Sequence, residues 1–160
     1  MMATTVGVEV SYGQLAVFAS SLKKPFNDWT DRHVSQGFAW RPGSVSFRSI
    51  AESAQHSIEI DVANHVGATH PEAMRVIEVP FEIPADGAVE VGSIAETVPL
   101  SLPAGLFLLR CEFLQSSGGA GERVRLTFAR QDAPHFAIVR ADPQICASGE
   151  LLTTAQPAPG

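Results

Sequence analysis

The residues best equipped for chemistry lie in "DVANHVGATHPE", residues 61–72, where Asp61, His65, His70 and Glu72 fall close together. Two imidazoles and two carboxylates are a donor set for zinc or manganese. Their spacing argues against that use. His-x4-His is not the i, i+4 pair that a zinc protease places on one helix face, and no Glu follows His65 to act as base. The segment reads as a solvated loop with two histidines, and no metal or cofactor is expected.

Other routes to catalysis are no better supplied. There is no G-x-S-x-G elbow for a nucleophilic serine. Cys111 belongs to an alternating strand pattern and Cys146 lies near the C-terminus, neither in an electropositive setting that would make a thiolate. "SGGAGE" lacks the lysine and the strand-to-helix context of a phosphate loop. Nothing here specifies an enzyme. Two cysteines so placed suit a reducing compartment better than a disulfide.

At 160 residues the chain can build one apolar core but not two ordinary domains. Hydrophobic residues at 45% and charged residues at 18% describe a folded chain. Its 17 acids against 11 bases give a formal charge of −6. Nucleic-acid binding rests on Lys and Arg neutralising phosphates, and no basic run supplies them, so direct DNA or RNA binding is not expected. A cationic protein partner is favoured instead, because an acidic surface speeds encounter with a basic one. The most apolar run, "TVPLSLPAGLFLLRCEFL", is interrupted by Pro99, Pro103, Gly105 and Arg110, which argues against membrane insertion. "MMATTVGVEVSYGQ" has neither the basic start nor the apolar block of a signal peptide, so a cytoplasmic location is expected, with a membrane reached only through a partner.

Positioning any site falls to strands. Val6, Val8 and Val10 alternate with small or polar residues, and "QLAVFA" follows the Tyr12–Gly13 bend. "VSFRS", "SIEIDV", "VIEVPFEI", "AVEVGSI", "TVPLSL", "LFLLRCEFL", "RVRLTFA" and "HFAIVR" continue the period of two. In "LFLLRCEFL" the set Phe107, Leu109, Cys111, Phe113 should face the core, leaving Arg110 and Glu112 toward water. This spacing predicts an all-β fold, an antiparallel two-sheet β-sandwich of about 8–10 strands. Residues 1–145 form the single domain, with "SSGGAGE" (116–122) a flexible loop. The Pro/Ala-rich segment 146–160 is expected to be a disordered tail.

"PFNDWTDRHVSQGF", residues 25–38, is the exception to strand patterning. Asp28 is the expected N-cap, Asp31 complements the first turn and Gly37 suits the left-handed C-terminal position, giving one short helix near residues 29–36. Trp29 should plug the sandwich and anchor this helix, while Trp40, beside Arg41 and Pro42, should be partly exposed. "VPFEIPADGAVEVGSI" reads as a hairpin closed by Ala85–Asp86–Gly87, with Ile83 opposite Val89 and Phe81 opposite Val91. That register sets Glu82 against Glu90, with Glu78 further along, and like charges so placed cost stability unless something compensates. Glu78, Glu82, Glu90, Asp31 and Trp40 are therefore the candidate partner-binding residues.

"SYGQLAVF" (11–18), "DWTD" (28–31), "VSF" (45–47), "VPF" (79–81) and "LPAGLFLLRC" (102–111), taken in order, resemble the competence protein J family. The resemblance runs from about residue 8 to 140, and "DWTD" is its sharpest element. It implies a small protein that binds the nuclease of DNA uptake in competent bacteria and restrains it. It supplies no inhibitory residues. Apart from the resemblance, the −6 charge and the clustered carboxylates add the expectation of a basic nuclease as partner. Its DNA groove would be occupied by a stiff acidic sheet face that mimics phosphates over a surface of roughly 800 Å².

Two other readings are immunity to a different nuclease toxin and a β-sandwich module for carbohydrate or another small ligand. The latter calls for several exposed aromatics on one face, whereas the chain has two Trp and one Tyr. Free sheet edges would let such a sandwich form a homodimer.

Overall fold

The computed structural model describes residues 4–115 and 121–159. In chain order these form β1 (Thr4–Val10), β2 (Gln14–Ala19), α1 (Asp31–Gln36), β3 (Phe38–Arg41), β4 (Ser44–Arg48), β5 (Ala54–Ala63), β6 (Ala73–Ile83), β7 (Ala88–Gly92), β8 (Thr97–Ser101), β9 (Gly105–Leu114), β10 (Glu122–Arg130) and β11 (Ala137–Arg140). The strands make a six-stranded sheet, β1-β5-β10-β9-β6-β11, and a five-stranded sheet, β3-β4-β2-β7-β8, which share one core. The all-β two-sheet expectation holds, with eleven strands among the described residues rather than 8–10. Pairing is antiparallel except between β5 and β10, which run parallel. Most of the loop "SSGGAGE", residues 116–120, lies outside the described residues.

Alternation along β9 delivers Phe107, Leu109, Cys111 and Phe113 to the core as expected. The Phe128 ring meets Phe81 and Phe107 edge-on, with centroids 6.0 and 6.1 Å apart. Each such buried aromatic contributes about 1.5–3 kcal/mol of transfer free energy.

The expected hairpin between β6 and β7 does not exist. The two strands belong to different sheets, so residues 84–87 form an arch between them. The Gly87 N–H donates to Pro84 O at 2.8 Å, and the Ala88 N–H to Asp86 Oδ1 at 3.0 Å. Gly87 has φ +70°, and a Cβ there would stand 2.4 Å from Leu102 O. Ile83 and Val89 do both face the core, but from opposite layers. An alternating pattern fixes which residues point inward and cannot tell a hairpin from an arch.

Neither outer sheet face is left open at its centre. β5 and β6 are separated in their sheet by β10 and β9, so the connection through residues 64–72 must cross those strands. It buries Arg110 and Glu112, which the sequence placed in water, and satisfies them. Glu112 accepts from Arg125 Nε at 2.8 Å and from the His70 N–H at 2.7 Å. Arg110 pairs with Glu78 at 2.7 Å and donates to Gly67 O at 2.8 Å. On the other sheet, buried Asn27 donates to Ala39 O at 2.9 Å and Ser44 O at 3.3 Å, while Phe26 meets Phe18 edge-on.

The helix starts later than expected. Thr30, not Asp28, is the N-cap, because its hydroxyl accepts from the His33 N–H. The Thr30 N–H donates to His33 Nδ1 at 2.9 Å, and this leaves Nε2–H to donate to Thr154 O at 2.9 Å. Asp31 occupies the first turn and Gly37 closes the helix at φ 91°, both as expected.

Residues 146–159 do not behave as the expected disordered tail. Arg32 donates to Ser148 O and Glu150 O, Gln36 brackets Leu152, and the Asp28 N–H reaches Gln156 O at 2.8 Å. Ile145 is buried and Leu151 packs against the core. A strap held by side chains of another element needs no periodicity of its own, so its composition does not announce it.

Candidate functional site

The residues named for metal chemistry are dispersed. Asp61 lies on β5 opposite Thr127, His65 is exposed, and His70 Nδ1 accepts the Glu72 N–H at 3.0 Å. Glu72 itself pairs with Arg123 at 3.2 Å. Among the described residues no three His, Cys, Asp or Glu side chains converge on a point that could hold an ion. This segment instead works as the strap over β9 and β10.

The named partner-binding residues do not form one patch either. Glu82 is exposed opposite Leu106, and Glu90 stands between Phe18 and Pro99 in the other sheet, accepting from Thr97 Oγ1 at 2.9 Å. The carboxylate pair therefore never meets. Glu78 is neutralised by Arg110. Trp40 is half-buried, its Nε1–H donating to Pro80 O at 2.7 Å and its ring edge-on to Phe136 at 5.1 Å. Asp31 is exposed beside a different feature, which the sequence reading passed over.

That feature is the end of the sandwich where β1 passes to β2. These strands also lie in different sheets, so Ser11–Gln14 is an arch. Tyr12 and Gly13 both adopt left-handed backbone, at φ 58° and 66°. Glycine does this freely, whereas a bulky L-residue is strained there by about 1–2 kcal/mol. Tyr12 is the one non-glycine residue with positive φ among those described, and it is 74% exposed, so packing repays little of the strain. Backbone bonds from the Gly13 N–H to Glu52 O (2.7 Å) and from the Ser49 N–H to Gly13 O (2.9 Å) lock this arch to the β4–β5 arch.

Trp29 stands beside it, half-buried against the His33 ring, with centroids 6.2 Å apart. Its indole N–H is shielded yet has no acceptor. Tyr12, Gln14 and Trp29 line two adjoining clefts of about 380 Å³ each. Val34 and Glu52 lie in the first, Ile94 and Asp28 in the second. Six large apolar side chains are exposed among the described residues, and three of them, Tyr12, Val34 and Ile94, gather here. Exposed apolar side chains gathered at the rims of two clefts make this end a candidate interaction site. The sequence signal that could have found it is the Tyr–Gly dipeptide at a bend, since a turn requiring two left-handed residues is normally given Asn or Gly.

An all-β sandwich, its sheet faces crossed by its own straps and one aromatic end exposed, is the class these features define. The chain belongs to the Competence protein J (ComJ) family, whose profile matches residues 7–129. It is also similar to the crystal structure of ComJ from Bacillus subtilis, described as an inhibitor of the DNA degrading activity of NucA. The identity is 22% and the TM-score 0.68, over 82% of this chain and 100% of that one. Comparison with curated protein sequences returns no match. No helix among the described residues is long and apolar enough to cross a membrane.

Proposed function

We propose that this protein is a non-catalytic inhibitor of a DNA-degrading nuclease and acts in the cytoplasm by binding it directly. The observation that carries this reading is the match of fold and family to ComJ over the whole of the solved inhibitor chain. The molecule's own features support it. Side chains capable of chemistry serve as structural ties: Glu112 and Arg110 hold a strap through the His70 N–H and the Gly67 carbonyl, the His70 ring accepts the Glu72 N–H, and His33 caps a helix. A rigid sandwich with pinned arches is a preorganised binder that loses little entropy on docking. A charge of −6 draws it toward the cationic surface with which a nuclease grips DNA, and away from DNA itself.

The direct experiment combines the purified protein with the NucA-type nuclease of the same genome and follows plasmid degradation. Cleavage should fall in proportion to added protein and stop near one equivalent. A nuclease unaffected by excess protein, or DNA cleaved by this protein alone, would overturn the reading.

A further inference from the structure

We infer that the Tyr12–Trp29 end is the nuclease-docking face, and that it receives a cationic side chain, Arg or Lys, of the nuclease between the two aromatic residues; this rests on the inhibitor reading above. Three observations converge on that end. Tyr12 is held in strained left-handed backbone with three quarters of its surface in water. Strain without an internal return persists where the surroundings over-determine it, and the two arches bonded through Gly13 do so here. Trp29 lines both clefts with its ring half-buried, and its shielded indole N–H finds no acceptor inside the molecule. Tyr12, Val34 and Ile94 concentrate half of the exposed large apolar side chains at this end.

Charge selects the occupant. Asp28 and Glu52 are exposed, one in each cleft, Asp31 is exposed two residues from Trp29, and none of the three has an ion-pair partner among the described residues. Arg48 is the one base lining these two clefts, and its NH1 is engaged by the Val34 and Gln144 carbonyls. Lys23 and Lys24 lie beyond Phe26, in the next depression. Aromatic faces flanked by unpaired carboxylates attract a guanidinium or ammonium through cation–π and ionic contacts together. A nuclease surface built to hold DNA carries such groups. Tyr, Trp and a desolvated cation are also the residue types that dominate interface energetics.

The test measures the inhibition constant of wild type and variants against the NucA-type nuclease at two salt concentrations, with thermal melts confirming that each variant is folded. Tyr12→Ala should weaken inhibition at least tenfold. Trp29→Phe, which removes only the N–H and part of the ring, should weaken it about three- to tenfold. Asp28→Asn combined with Glu52→Gln should weaken it severalfold and flatten the salt dependence. Asp132→Asn, a charge removal in another depression near Leu106 and Arg130, should change it less than twofold. A wild type that inhibits while the Tyr12, Trp29 and Asp28/Glu52 variants inhibit equally well overturns the docking face and leaves the inhibitor reading standing. A wild type that does not inhibit overturns both.

Discussion

Asp142→Ala should be the most damaging single substitution outside the apolar core. Arg75 on β6 is fully buried, and its guanidinium lies 5.7 Å from the Phe113 ring centroid. Its Nε and NH2 donate to the two Asp142 carboxylate oxygens at 2.9 Å each, NH2 reaches Gln144 Oε1 at 2.7 Å, and NH1 is taken by Arg48 O. Removing the carboxylate strands a buried charge on two neutral acceptors, which costs about 3–5 kcal/mol. Total stability for a domain is about 5–15 kcal/mol, so the loss is a large fraction of it. At about 2–4 °C per kcal/mol for a chain of this size, the melting temperature should fall by roughly 6–20 °C. Combining Arg75→Met with Asp142→Ala should recover most of the loss, because the uncompensated charge is gone as well. Urea unfolding of the two single variants and the double variant supplies the cycle. A cost below about 1 kcal/mol for Asp142→Ala, or a double variant no more stable than that single one, would refute the reasoning.

Tyr12→Asn places a residue that tolerates left-handed backbone before Gly13, and should leave stability unchanged or raise it by about 1 kcal/mol while weakening inhibition; thermal melting that shows a clear loss would mean the ring is held by packing. His56 is buried on the core side of β5, its Nδ1–H donating to Ala54 O at 3.0 Å and its Nε2 lacking a partner. Burial, more than that bond or the nearby Glu122 and Glu9, holds its pKa below the ordinary 6.5. The unfolded chain therefore binds the extra proton first, and stability should fall as pH drops below about 6.5, by at most about 1.4 kcal/mol per pH unit until the folded pKa is passed. A His56→Leu variant should flatten that slope, and an unchanged slope would locate the titration elsewhere. Glu112→Ala leaves the His70 N–H and Arg125 without their acceptor, so it should cost about 1–3 kcal/mol and speed hydrogen exchange across residues 64–72; exchange left unchanged there would show that the strap is held otherwise.

The inward-facing sets on β5, β6, β9 and β10 were legible because a half-buried strand must alternate, and Phe107, Leu109, Cys111 and Phe113 leave no other register. Layer assignment was not legible. Ile83 and Val89 face the core in a hairpin and in an arch alike, so the Glu82–Glu90 pair vanished with the wrong choice. Arg110 and Glu112 read as solvent-facing because nothing local reports that a connection of nonadjacent strands will cross above them. Gly37 announced the end of α1, while its start was misplaced because Asp28 and Thr30 are both good caps and only His33 decides between them. The C-terminal strap was invisible for a related reason: Arg32, His33 and Gln36, rather than its own residues, hold it in place. Tyr12 and Trp29 were noticed singly, and only the fold brings them together.

Hydrogen exchange of the protein alone and saturated with the NucA-type nuclease tests the account most directly, since it reports the contact face without altering a residue. Protection should appear at residues 11–14, 28–34, 49–53 and 93–96, the segments that build the aromatic end, while 64–72 and 102–106 keep their rates. Protection confined to the 64–72 strap and β10, or no protection anywhere at saturating nuclease, would contradict it.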